Sequence, residues 1–89
     1  MQASDVIFAV GEQDGMTYFT FVEKAFFAQN GHLDDSIRDR LIDEDIIPDG
    51  FYDLDESSFE YDGDKDDAIT VLNKAGFTSS KTLNNYLGV

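Results

Sequence analysis

The chain has 89 residues, with 19 acids against 6 bases and a formal net charge of −13, a length that fits one small domain with little room for an enclosed active-site cavity. Eight Phe and four Tyr are too many for a disordered acidic tail, and the lack of Cys removes disulfides, thiolate chemistry and Cys-based zinc sites. The single histidine, His32, excludes a His-pair metal site, and no apolar run reaches the roughly 20 residues that cross a bilayer.

Asp5 to Val10 is a β-rich apolar run closed by Gly11 and an Asp14-Gly15 turn signal, which predicts a strand. From Thr17 to Asn30, positions 18, 22, 25, 26 and 29 follow helical spacing, with Asn30-Gly31 as the stop. A Thr20/Glu23 capping pair allows a second reading, in which residues 16–20 finish a hairpin before a shorter helix. Leu33, Ile37 and Leu41 predict a helix from about Asp34 to Asp45, ended by the Pro48-Asp49-Gly50 turn. Phe51 to Leu54 and Phe59 to Asp62 read as two short strands. Asp64 or Asp66 starts a helix through Ala75, with Gly76 at its end, and Ser79 or Ser80 caps a last helix carrying Leu83, Tyr86 and Leu87. The fold expected is α+β, a small single domain spanning 1–89 with a short antiparallel sheet and three to four helices. An all-α arrangement is the alternative.

The charge is unevenly placed. Residues 1–33 hold Asp5, Glu12, Asp14 and Glu23 against Lys24, while 68–89 hold Lys74, Lys81 and no acid. The remaining 15 acids lie in 34–67 with three bases, a net −12 in 34 residues that also carry Ile37, Leu41, Phe51 and Phe59. Acids interleaved with core formers are expected on a folded surface, not on a tail.

Enzyme chemistry finds little support. Paired carboxylates are unavoidable by chance among 19 acids, His32 sits at a helix junction, and the dispersed glycines form no phosphate-cradling motif. No catalytic residue and no cofactor is expected. Asp62-Gly-Asp64-Lys-Asp66 opens like an EF-hand loop, so a calcium site through Asp62, Asp64 and Asp66 is one alternative. Asp67 falls where that loop needs Gly, and Asn73 where it needs a bidentate Glu. Residues 75–87 have the outline of a helix-turn-helix with Ser80, Lys81, Asn84 and Asn85 outward, but six bases against 19 acids oppose any duplex. Two packed terminal helices completing the core are expected there instead. The rings of Tyr18, Phe19, Phe21, Phe26 and Phe27 lack the interleaved bases of a nucleic-acid stacking site and are expected in the core, with one or two exposed.

The spacing of the acids carries the functional reading. Asp35, Asp39 and Asp43 lie at i, i+4 and i+8, about 6 Å apart along one helix face, where like charges are mutually destabilising. Asp53 and Asp55, and Glu60 and Asp62, lie at i and i+2, so strands would project each pair from one face. Rows of carboxylates at this pitch approach the spacing of phosphates along a nucleic-acid strand. The partner-binding surface is therefore expected to comprise Asp35, Asp39, Asp43, Glu44, Asp45, Asp49, Asp53, Asp55, Glu56, Glu60 and Asp62, with Phe51, Tyr52 and Tyr61 as anchors. In size and charge alone the chain resembles the DNA-mimic proteins with which phages and mobile elements block restriction, repair or CRISPR machinery. It shares the same two features with nuclease immunity proteins.

No family motif accompanies that likeness. The acid spacing, the charge balance and the absence of catalytic motifs and of a long apolar run together lead to the expectation of a cytoplasmic, non-enzymatic inhibitor bound to a basic protein, a nucleic-acid-binding enzyme or complex, with no direct contact to nucleic acid or membrane. A general acidic interaction module is the main alternative. Acidity as a halophilic trait is a further one, although it predicts charge spread evenly over the surface.

Overall fold

The computed structural model describes residues 1–55 and 57–88. Among them are five strands and four helices in an α+β fold: β1 (Val6–Gln13), β2 (Met16–Glu23), α1 (Lys24–Asn30), α2 (Ile37–Asp43), β3 (Phe51–Asp55), β4 (Ser58–Tyr61), α3 (Lys65–Ala75), β5 (Thr78–Ser79) and α4 (Lys81–Leu87). The sheet order is β3-β4-β2-β1-β5, antiparallel except for the parallel pair β1–β5. The short antiparallel sheet is as expected. The parallel fifth strand, in a segment that reads as a turn, is an addition.

β1 and β2 pair over their full length around Asp14-Gly15. Both turn residues have positive φ (54° and 78°), the two-residue loop geometry whose twist matches that of the flanking strands. Of the two readings of residues 17–30, the continuous helix gives way to the hairpin: a strand that runs three residues beyond the expected 16–20 is followed by a helix of seven residues. Residues 19–22 are buried on both sides of the sheet, which explains the ambiguity: consecutive buried side chains satisfy a helical template as well as a buried strand.

Strand alternation sorts the core into two clusters. Val6, Phe8, Phe19 and Phe21 point to one face with Phe59 and Phe51, where α2 contributes Ile37 and Leu41 and α3 contributes Ala68 and Leu72. Phe21 is at the centre, its ring 5.5 Å from those of Phe59 and Phe77. Ile7, Ala9 and Val22 point to the second face, beneath Leu83 of α4 and the partly buried Phe26, Phe27, Leu33 and Leu87. α3 and α4 therefore lie on opposite faces of the sheet. They neither pack as the expected terminal pair nor form a helix-turn-helix.

The helical cover of the second face stops short. Beyond Val22 towards the hairpin, and across β4 to β3, the face presents Thr20, Tyr18 and Met16, then Ser58 and Glu60, then Tyr52. The Tyr18 ring lies across its cross-strand neighbour Gly11, in space that a β-carbon there would fill.

Candidate acidic interface

α2 begins later than its apolar stripe suggests. The Asp34 carboxylate accepts hydrogen bonds from the Ser36 backbone N–H (3.0 Å) and the Ser36 hydroxyl (2.8 Å), a local turn that competes with helix, and Ile37 is the first helical residue. Asp35 therefore precedes the helix, and the expected row of three becomes Asp39 and Asp43 on α2 with Asp35 apart. The helix also ends early, at Asp43. Asp45 N–H donates to the Ile42 carbonyl and Ile46 N–H to the Leu41 carbonyl, the paired bonds of a Schellman stop. The left-handed position of that stop, with φ of 54°, is held by Asp45, where glycine is the usual occupant.

The strand pairs also fall differently from the i, i+2 expectation. A bulge between Asp53 and Asp55 puts Asp53 opposite Phe59 and Asp55 opposite Ser58, residues on different faces. Asp53 accordingly reaches Arg38 of α2 (3.4 Å), while Asp55 lines the open half of the second face. Glu60 lies opposite Tyr52 on that second face, whereas Asp62 is already past the end of β4, its N–H donating to the Gly50 carbonyl. Asp49 is exposed in the turn before β3. Glu56 lies outside the described residues.

Of the three anchors named from sequence, Tyr52 alone offers an exposed ring, at 58 %. Phe51 is buried, in edge contact with Phe19 at 5.6 Å, and Tyr61 is half-buried with its ring 4.6 Å from that of Phe51. Leu54 and Met16, exposed at 37 % and 38 %, were not singled out by sequence. The bulge turns the one outward, and the other follows from the strand now assigned to 16–23.

Two arginines of α2 hold five carboxylates. Arg38 reaches Asp39 (3.3 Å) and Asp53, which ties the helix to β3. Arg40 sits among Glu23, Asp34 and Glu44 at 3.7–3.9 Å. The Met1 ammonium donates to Glu44 Oε1 at 2.9 Å; this hydrogen bond and the attendant charge attraction raise the amine pKa and lower that of Glu44. These contacts use up the bases of the central segment apart from Lys65, which reaches Glu12 at 3.4 Å. Asp35, Asp43, Asp45, Asp49, Asp55, Glu60, Asp62, Asp64, Asp66 and Asp67 are all exposed and, among the described residues, have no cation within salt-bridge distance.

Among the described residues no three His, Cys, Asp or Glu side chains gather as a metal cluster, Asp62, Asp64 and Asp66 included. Asp64 is the residue before α3, without a side-chain cap hydrogen bond, and Asp66 lies in the first turn at the positive end of the helix dipole. His32 is exposed, with Nδ1 2.9 Å from the Leu33 carbonyl oxygen and its ring edge-on to Phe26. Among the described residues no helix is long and apolar enough to cross a membrane. Compared with protein-family models, with curated proteins and with solved structures, the chain matches none.

Proposed function

We propose that the protein is a non-enzymatic inhibitor whose acidic surface occupies the basic, nucleic-acid-binding surface of a partner protein. The observation that carries this reading is the set of ten exposed carboxylates, all within residues 35–67, that have no cationic partner among the described residues; they lie on α2, β3, β4 and the first turn of α3 and in the turns that flank them. A surface of this kind steers a basic partner over distances of about a Debye length, roughly 10 Å at 0.1 M salt, and apolar contacts such as Tyr52 then fix the complex. The changes in spacing found on α2 and β3 break the regular rows, which favours attraction to a basic surface as a whole over copying one phosphate strand.

The test is affinity capture from the source cells, followed by competition. The captured partner should bind nucleic acid, and equimolar protein should abolish that binding. Asp35→Asn/Asp39→Asn/Asp43→Asn should slow association and flatten its salt dependence. The same charge removed by Asp5→Asn/Glu12→Gln/Asp14→Asn should do so far less. A partner whose nucleic-acid binding is untouched refutes mimicry and leaves a general acidic docking module, the second reading supported by the same carboxylates.

A further inference from the structure

We propose that the open half of the second sheet face seats a basic amphipathic segment of the partner, with apolar side chains against Met16, Leu54 and Leu87 and a Lys or Arg reaching Asp35 and Asp55. This rests on the reading of the partner as a basic protein and adds where, and through which chemistry, its chain is held.

Three observations converge on this half-face. α1 and α4 cover Ile7, Ala9 and Val22, and beyond them a groove of about 610 Å³ runs from β2 across β4 to the end of β3. That volume lies within the roughly 300–1,000 Å³ of ordinary binding sites. Its floor is polar but internally satisfied: the Thr20 and Ser58 hydroxyls are buried and hydrogen-bond each other at 2.9 Å. Its walls carry two of the domain's exposed large apolar side chains, Met16 and Leu54.

The third observation decides the occupant. Among the described residues lining the groove, Asp35 and Asp55 are the only charged ones, one in the stretch before α2 and the other at the end of β3. Neither has a cation within salt-bridge distance among the described residues. A purely apolar segment settling here would strip water from both carboxylates, leaving Asp55 only the long hydrogen bond from the Ser57 N–H (3.4 Å), and an anionic one would add repulsion. A lysine or arginine flanked by apolar residues meets both demands, because its aliphatic stem packs on the walls while its head reaches the carboxylates.

The experiment is an amide-resolved NMR titration of the full chain in 50 mM NaCl with an acetylated Leu-Arg-Leu-Arg-Leu amide. Comparison probes are its Leu-Glu counterpart, tetra-arginine and spermidine. Shifts should concentrate on residues 16–20, 33–35, 54–55 and 57–58, and the Leu-Arg peptide should bind more tightly than any comparison probe. Leu54→Ser should weaken binding about fivefold and Asp35→Asn/Asp55→Asn about tenfold, against less than twofold for Asp66→Asn/Asp67→Asn on the opposite face. The dispersion of the same spectra checks that each variant is folded.

Shifts spread over all the acids, with Leu54→Ser without effect, would overturn the groove and leave the acidic-inhibitor reading standing. Equal binding of the Leu-Glu peptide or of spermidine would also overturn it, the latter reassigning the groove to a small polycation. If no cationic probe binds at all, the groove and the proposed function fall together.

Discussion

The end of α2 concentrates electrostatic and backbone cost in three residues, and removing that cost should stabilise the protein. Asp43, Glu44 and Asp45 place negative charge at the negative end of the helix dipole, and Asp45 adds a left-handed backbone. Asp43→Asn should gain about 0.3–1 kcal/mol at the dipole and about 0.2–0.5 kcal/mol from relief of the i, i+4 repulsion with Asp39. Asp45→Gly should gain about 0.5–1 kcal/mol by removing the Cβ from a left-handed position, net of the freedom that glycine gives the unfolded chain. Together these come to about 1–2.5 kcal/mol, or about 4–20 °C in Tm for a domain of this size. Thermal melts followed by circular dichroism at 0.1 M and 1 M NaCl separate the two parts. At 1 M the Debye length is about 3 Å, shorter than the about 5–6 Å between i and i+4 side chains, so the Asp43 gain should shrink while the Asp45 gain persists. A lower Tm for Asp45→Gly, or an Asp43 gain undiminished at 1 M salt, would refute the reasoning.

Phe21→Ala should cost about 3–5 kcal/mol, because the ring is fully buried against Phe8, Phe59 and Phe77. Urea unfolding with an unchanged midpoint would remove Phe21 from the core. The Met1–Glu44 pair predicts a pH window. The raised amine contributes stability that is complete below its unfolded value of about 7.7–8.0 and lost as pH rises through the folded one. The lowered Glu44 contributes above about 4.3, a part lost as pH falls through its folded value. The Tm difference between the native chain and Glu44→Gln should hence be flat between about pH 5 and 7.5 and change outside that window; a difference that stays constant to pH 10 would exclude the ion pair. Finally, with a net charge of −13, melting should rise with NaCl between 0.01 and 0.1 M, as the Debye length falls from about 30 to 10 Å. A Tm flat in NaCl but raised sharply by micromolar calcium would favour a metal site.

The parts of the fold legible in the sequence are those fixed by local chemistry. Asp14-Gly15 marked the hairpin, Gly31 and Gly76 marked helix ends, and Ser80 caps α4 by accepting from the Leu83 N–H at 3.1 Å. β2 was legible only as one of two readings, because residues 19–22 are buried on both sides of the sheet and Phe19, Phe21 and Val22 with Tyr18 before them show no polar alternation. β5 was hidden for another reason: Thr78 and Ser79 are exposed and polar, and they are a strand only because Ile7 and Phe8 lie beside them. At the candidate site, the identity of the acids was legible and their directions were not. A bulge at Leu54 and the Asp34–Ser36 turn each displace a carboxylate from its expected row, and neither leaves a mark in residue spacing.

Charge and core are nonetheless separable in this chain, which is what makes the acidic surface open to substitution. Ile37 and Leu41 enter the core from α2 while Asp39 and Asp43 stay outside, and Phe59 enters from β4 while Glu60 stays outside. The apolar partner in each element sets the register, and the carboxylate takes the position left over. Such acids contribute nothing to burial and repel one another, so where Arg38, Arg40 or the Met1 ammonium does not reach them their effect on stability is unfavourable or neutral, except for Asp66 and Asp67 at the positive end of the α3 dipole. The core beneath these charges is ordered in two layers, one rich in buried aromatics (Phe8, Phe19, Phe21, Phe51, Phe59 and Phe77) and one aliphatic at its centre (Ile7, Ala9, Val22 and Leu83). The open half of the second sheet face follows the same pattern: α1 and α4 seal the apolar half, and the half left bare is where Asp35 and Asp55 meet Leu54.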